Sequence, residues 1–229
     1  MLKDPPLLTV RRTFPRPELA LVDKLIGAQT GHVTDAMYGR GAMDAAIKPL
    51  DPATASFAGI AFPVESFADD NLAILAVLAF VKPGDVIVVA ADGFARTAVV
   101  GDNVAMMAKN AGVRAIVVDG MARDLDGIVE AGLPVHARGI TPASCVKNGP
   151  GKVGLPIVAG GVAVAAGDVV IGDRDGVVVI PQAQLASVVT HLDEIRRMEA
   201  ATQAKIKAGL VCLDNIKALL ASDKVTYVD

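Results

Sequence analysis

The sequence predicts an α/β domain with mixed sheets, and two observations carry that reading. Between Asp85 and Val118 the chain runs apolar segment, helical segment, apolar segment. Beyond Val135 it becomes short β-branched runs separated by Gly- and Asp-rich turns. With 229 residues, 52% of them hydrophobic, there is ample material for one core. Aromatics make up only 3% and tryptophan is absent, so Val, Ala, Leu and Ile must fill it.

Taken in order, residues 17–26 read as the first helix. Pro17 suits a first turn, Leu19, Leu21, Val22, Leu25 and Ile26 supply apolar residues, and Gly27 stops it. A short helical piece at 33–37 and a strand within 54–65 follow. Asp69 and Asp70 can cap a helix over 72–81, which ends at Lys82-Pro83-Gly84. That helix is apolar all round, which predicts burial. Residues 85–91 form a β-branched apolar run, hence a buried strand. A helix at 103–110, closed by Gly112, and a strand at 114–118 complete a βαβ unit with parallel strands. Residues 128–131 read as a helical turn ended by Gly132. Strands are expected at Val135–Ile140, 153–158, Val162–Val164, Val169–Gly172 and Val177–Ile180. Gly160-Gly161 and residues 166–168 and 173–176 supply the turns. Pro181 ends the last strand. An amphipathic helix then begins near Gln182, with Leu185, Val188, Val189, Leu192 and Ile195 at the helical period. A second helix spans 213–220.

The βαβ unit fixes a geometry. A helix that follows a parallel strand begins at the strand's carboxyl end, where open α/β sheets bind ligands. Asp102, at the helix start, and Arg123-Asp124, past the second strand, should share that edge. The helix start offers backbone N–H groups at Asn103 and Val104, suited to a carboxylate. One small site would then hold an anion cradle, a guanidinium and two carboxylates, and hard oxygen donors favour a divalent cation. Singly, Asp102 reads as a helix cap and Arg123-Asp124 as a surface ion pair; their shared edge gives the functional reading its force.

Other chemistries are disfavoured. The net charge is −3 and no basic stripe appears, against nucleic-acid binding. The first residues lack an apolar leader core, so no signal peptide is expected. The apolar run 72–81 is too short for a bilayer, which needs about 20 such residues. Two cysteines, Cys145 and Cys212, form no disulfide framework or zinc spacing, and a reducing cytoplasm fits best. His32, His136 and His191 do not share metal-ligand spacing. No lysine sits inside an apolar strand, as a Schiff-base enzyme would need. Lys147 and Lys152 flank a loop, Asn148-Gly149-Pro150-Gly151, and no helix follows it to make a phosphate loop. Asp119, Asp173 and Asp175 read as turn residues.

Asp102, twenty residues, then Arg123-Asp124 resembles the signature of the class II pyruvate aldolases. The flanking motifs agree: 31–37 (GHVTDAM), GD…VVDG…RD, GDxDGVVVIP from Gly172 to Pro181, and the terminal Tyr227-Val228-Asp229. The chain is therefore similar to the 4-hydroxy-4-methyl-2-oxoglutarate / 4-carboxy-4-hydroxy-2-oxoadipate aldolases of the RraA-like family. That resemblance implies a layered β/β/α swivelling-type domain over 1–181, with a helical extension over 182–229 packing on a neighbouring subunit. It implies cleavage of a 4-hydroxy-2-oxo acid with a second carboxylate, with oxaloacetate decarboxylation as a side activity. It implies Mg²⁺ or Mn²⁺ held directly by Asp124 and through waters by Asp102 and by a C-terminal glutamate of a neighbouring subunit. Glu199 follows Leu192 by seven residues and Ile195 by four, so it falls on the apolar stripe, where a carboxylate is costly unless paired or metal-bound. It is the candidate, with Glu194 as alternative. The amides of Asn103 and Val104 would hold the substrate carboxylate, Arg123 the developing oxyanion, and Asp102 would orient the water or hydroxide acting as base. Asn103 and Val104 stand where the family would have two apolar residues, which bears on pocket shape. Homotrimers or homohexamers are implied as well. The alternative is a non-catalytic RraA-like regulator that binds a ribonuclease.

Overall fold

The computed structural model describes residues 4–228, so Asp229 of the terminal motif lies outside the described residues. The strands are β1 (Leu8–Val10), β2 (Lys48–Pro49), β3 (Phe57–Ser66), β4 (Asp85–Ala90), β5 (Ala98–Val100) and β6 (Ala115–Ala122). They continue as β7 (Val135–Ile140), β8 (Gly151–Val153), β9 (Ile157–Ala159), β10 (Val162–Val164), β11 (Val169–Gly172) and β12 (Val177–Ile180). The helices are α1 (Leu19–Asp23), α2 (Thr30–Ala36), α3 (Leu72–Val77), α4 (Asp102–Asn110), α5 (Leu125–Ala131), α6 (Leu185–Lys207) and α7 (Asp214–Leu220). The fold is α/β, as the sequence predicts.

Among the described residues ten strands join one sheet, in the order β1-β8-β3-β4-β6-β7-β2, with β11 and β12 added through β3 and β5 through β6. β3, β4, β6 and β7 run parallel. β3 pairs with β4 along one edge, while its other edge is divided. Residues 57–60 take β11 and residues 64–66 take β8. The divided edge folds the sheet over on itself, and alternate side chains then face two interiors. Ala61, Val86, Val88 and Val117 meet Ile157, Val170, Val177 and Val179 between the two β layers. Phe62, Ile87, Ile116 and Val118 face the helical layer, through Ile74 of α3, Val104 and Ala108 of α4, and Ile128 of α5. Full burial of each large aliphatic side chain contributes roughly 1.5–3 kcal/mol. The β/β/α layering is present, and a fourth layer covers the outer face of β11 and β12. There Val22, Val33, Leu185, Val188 and Leu192 pack on Ile171, Val178 and Ile180. The first half of α6 thus belongs to this chain's own core. Among the described residues none beyond Ile195 is fully buried, those of α7 included.

Several elements differ from their sequence-based expectation. The strand that feeds α4 is β5, not the 85–91 run: β4 ends at Ala90, and the chain loops before re-entering beside β6. β6 extends to Ala122, so Asp119 is a buried strand residue and not a turn. It accepts from the Gly160 amide at 2.7 Å and pairs with Arg138, tying β6 to the β9–β10 turn. α3 stops at Val77, and only Ala73, Ile74 and Val77 are buried, because one face lies on the sheet while the other is left partly open. The 153–158 run splits into β8 and β9 around Pro156, which has no N–H for a ladder. Asp173 does shape its hairpin, accepting from the Asp175 amide at 2.8 Å, and it also accepts from the Thr30 amide and hydroxyl of α2.

Candidate active site

β5 and β6 run parallel and side by side, so α4 begins where β6 ends. The Arg123 amide donates to the Val100 carbonyl at 3.0 Å, which locks the two strand ends together. Asp102, Asn103, Val104, Arg123 and Asp124 consequently line one cleft of about 150 Å³. That volume suits a small acid; drug-sized ligands need roughly 300 Å³ or more.

Two glycines admit the carboxylates. A Cβ on Gly101 would lie 2.7 Å from Asp124 Oδ2 and 3.4 Å from Arg123 Nε. A Cβ on Gly127, in α5, would lie 2.7 Å from Asp102 Cβ and 2.8 Å from its Oδ2. Asp124 itself takes the left-handed conformation, with φ 58° and ψ 51°, at the head of α5. That geometry costs about 1 kcal/mol or more for a residue with a side chain, and such strain concentrates at functional sites. It turns the carboxylate toward Arg123, whose Nε lies 3.1 Å from Asp124 Oδ2.

Asp102 Oδ1 accepts from the Asn103 amide at 2.6 Å. The amide cradle expected at Asn103 and Val104 is therefore half occupied by the protein's own carboxylate. Among the described residues the Val104 amide has no partner. The far wall comes from a loop the sequence left unassigned. Arg123 donates through Nη1 to Ser144 Oγ, and Cys145, Lys147 and Asn71 also line the cleft. Burial pushes the Cys145 thiol above its ordinary pKa, so it stays protonated and is no nucleophile at neutral pH. Spacing gave no signal for Ser144 or Asn71; Gly101, next to Asp102 in the sequence, is a local trace of the crowding, whereas Gly127 meets Asp102 only in the folded chain.

Glu199 does not line this cleft within its own chain. It sits half-buried on α6, in the stripe of Leu192 and Ile195, and accepts from Gln203 at 3.2 Å; Glu194 is exposed. Among the described residues no three His, Cys, Asp or Glu side chains converge as a metal site. A larger cleft of about 680 Å³ lies between the ends of β3 and β4 and the β9–β10 hairpin. Among the described residues its lining includes Glu65, Asp92, Phe67 and Val158 but no cation, so the smaller cleft is the better centre for oxo-acid chemistry. Among the described residues no helix is long and apolar enough to cross a membrane.

The sequence model of the family described as RraA-like, Aldolase/RraA, matches residues 30–179. The chain belongs to the RraA-like family. The matched span holds Asp102, Arg123 and Asp124 and stops before Glu199. A protein of Halalkalibacterium halodurans named "Putative 4-hydroxy-4-methyl-2-oxoglutarate aldolase" is 35% identical over 204 residues, covering 89% of this chain and 94% of that protein. A protein of Thermus thermophilus named 4-hydroxy-4-methyl-2-oxoglutarate aldolase is 34% identical over 128 residues, 56% of this chain and 77% of that one. RraAS2 of Streptomyces coelicolor, described as an unusual member of the RNase ES inhibitor RraA protein family, has 30% identity and a TM-score of 0.75. That likeness covers 83% of this chain and 100% of RraAS2. RraA-like relatives thus include proteins named as aldolases and a protein described with ribonuclease inhibitors.

Proposed function

We propose that this chain is a divalent-metal-dependent pyruvate aldolase, a carbon–carbon lyase acting on a 4-hydroxy-2-oxo acid that carries a second carboxylate. The observation that carries the reading is the meeting of Asp102, Arg123 and Asp124 in one cleft, with Gly101 and Gly127 making room for the two carboxylates. The aldolase names of its relatives support it.

The donor set fits a hard cation. Asp124 would hold Mg²⁺ or Mn²⁺, with Asp102 beside it, and both offer the oxygen ligands such ions prefer. One chain supplies two carboxylates, and Glu199 from a neighbouring copy is the third we assign. The bound metal supplies Lewis-acid polarisation of the 2-oxo group. The Val104 amide at the start of α4 holds the C1 carboxylate. Asp102 orients the water that takes the C4 hydroxyl proton. C4–O then becomes a carbonyl, the C3–C4 bond breaks, and its electron pair forms the enolate of pyruvate. Arg123 stabilises the charge that develops on the C2 oxygen, and its bond to Ser144 holds the guanidinium ready. Protonation at C3 yields pyruvate. Oxaloacetate gives the same enolate with carbon dioxide leaving, so its decarboxylation is an expected side activity.

The extension completes the reading. Met198 and Ile206 of α6, and Leu213, Ile216, Leu219 and Leu220 around α7, are exposed. Their burial on a neighbouring subunit, in a homotrimer or homohexamer, would carry Glu199 to that subunit's cleft.

The test is pyruvate release from oxaloacetate and from 4-hydroxy-4-methyl-2-oxoglutarate. EDTA should abolish it, Mg²⁺ or Mn²⁺ should restore it, and borohydride with substrate should leave the enzyme active. A trapped lysine adduct would show the other aldolase class. A second reading, a non-catalytic regulator that binds a ribonuclease, draws on the likeness to RraAS2. Absence of metal-dependent pyruvate release, with capture of a ribonuclease, would favour it.

A further inference from the structure

The wall opposite α4 is a loop, yet it is held like a structural element. The Asp70 carboxylate, 3% exposed, accepts from the Asn148 amide and, at 2.8 Å, from the Gly149 amide; its other oxygen accepts from the Leu72 amide at 2.8 Å. The Val146 amide donates to the Asp69 carbonyl at 2.8 Å, and the Asn71 amide to the Val146 carbonyl at 3.0 Å. Further along, the Ala98 amide donates to the Ala143 carbonyl at 2.9 Å. Residues 143–149 are thereby fastened at both ends, to β5 and to the start of α3. A buried carboxylate that binds two loop amides is costly to lose, so the wall has a defined position.

Among the described residues two cations line the cleft, and they differ in commitment. Arg123 is paired with Asp124 and donates to Ser144. Lys147 also lines the cleft, but it enters none of the ion pairs among the described residues. The cleft already carries two carboxylates, and in the reading above the substrate brings two more. The Val104 amide and Arg123 would take the 1-carboxy-2-oxo end, beside Asp124, which would hold the metal. The far carboxylate needs a counter-charge, and among the described residues Lys147 is the cation lining the cleft with no assigned partner.

We propose that Lys147 is a specificity-determining residue that binds the second carboxylate of the substrate. Asp70 acts as its positioning residue, by fixing the loop backbone. This inference rests on the aldolase reading for the identity of the ligand. Lys147 does no bond-breaking; it selects dicarboxylic over monocarboxylic oxo acids. A lysine suits that task because a single ammonium tolerates a carboxylate whose exact placement varies with the C4 substituent.

Two unreactive analogues isolate the effect: 2-oxoglutarate, with the second carboxylate, and 2-oxopentanoate, of equal length without it. Equilibrium binding of each to the Mn²⁺-loaded protein is measured for wild type, Lys147→Ala and Lys147→Arg. Wild type should prefer 2-oxoglutarate. Lys147→Ala should weaken that ligand on the order of tenfold, the loss of one charge-assisted contact. Binding of 2-oxopentanoate should move less than about twofold. Lys147→Arg should retain most of the preference. Lys147 is exposed, so the substitutions leave the core untouched. Asp70→Asn should reduce the same preference, with Lys147→Ala adding little on top of it. Equal weakening of both ligands in Lys147→Ala, or no weakening, would overturn the assignment. Pyruvate release by the wild-type preparation reports separately on the aldolase reading: release without a Lys147-dependent preference for 2-oxoglutarate overturns the role of Lys147 alone, whereas no release and no binding of either analogue overturns the aldolase reading and this inference with it.

Discussion

Gly101→Ala is a small change with a large expected effect. The backbone at Gly101 has φ −134° and ψ −174°, which alanine adopts without strain. The added methyl, however, would sit 2.7 Å from Asp124 Oδ2. Ordinary carbon–oxygen contact lies more than half an ångström farther out, at about 3.3 Å or more. Asp124 cannot yield through its backbone, which is already fixed in the left-handed region. Its carboxylate must rotate away instead, giving up the 3.1 Å contact with Arg123 Nε. An off-rotamer side chain costs roughly 0.5–1.5 kcal/mol, so stability should fall by no more than about 2 kcal/mol. For a chain of this size that shifts Tm by about 4–8 °C. A misplacement near 1 Å costs on the order of a hundredfold in rate. The expected variant is therefore folded, melts a few degrees early, and releases pyruvate from oxaloacetate about a hundredfold more slowly. Gly31→Ala is the control, since a Cβ there meets nothing within 4 Å. Turnover of Gly101→Ala within about threefold of wild type would refute the placement of Asp124 at the reacting centre.

Arg123→Ala should lower kcat by roughly a hundredfold or more, and Arg123→Lys should restore little, because a lysine cannot bridge Asp124, Ser144 and an oxyanion as a guanidinium fork does; near-wild-type turnover in a steady-state pyruvate assay would sink the role. Mixing inactive Glu199→Ala with inactive Asp124→Ala subunits should regenerate some activity, and its absence after mass-verified subunit exchange would mean that Glu199 does not complete a neighbour's site. His136 is fully buried, and burial lowers its pKa below the ordinary 6.5. The unfolded chain then binds a proton below about pH 6.5 that the folded chain resists, so stability should fall as pH drops through that value, by at most about 1.4 kcal/mol per pH unit from this group. Urea unfolding between pH 5 and pH 8 should show the slope, and His136→Gln, which keeps a donor for the Asp173 carbonyl, should flatten it; an unchanged slope would place its origin elsewhere.

Much was written locally. The β-branched run at 85–90 and the Gly-Asp turns of the second half determined β4, β9–β12 and the α/β class, because periodicity and turn chemistry act over a few residues. The same local logic put Asp102 and Arg123-Asp124 on one edge, since a helix after a parallel strand has little choice of where to begin. What the sequence did not determine was which strand feeds that helix. β5 is three residues of Ala and Val, too short to carry a period, and it exists because β6 offers it an edge. Asp119 looked like a turn residue until Arg138 and the Gly160 amide, nineteen and forty-one residues away, gave its carboxylate partners. Ser144 and Lys147 line the cleft because their loop is held by the Ala98–Ala143 bond at one end and, at the other, by Asp70 on amides seventy-eight and seventy-nine residues along the chain. α3 and α6 carried apolar patterns that promised burial, but the depth of burial was set by which layers the folded sheet left open. Local sequence encodes conformation and hydrophobic phase; contacts between distant polar groups depend on sheet pairing, and only the assembled layers decide them.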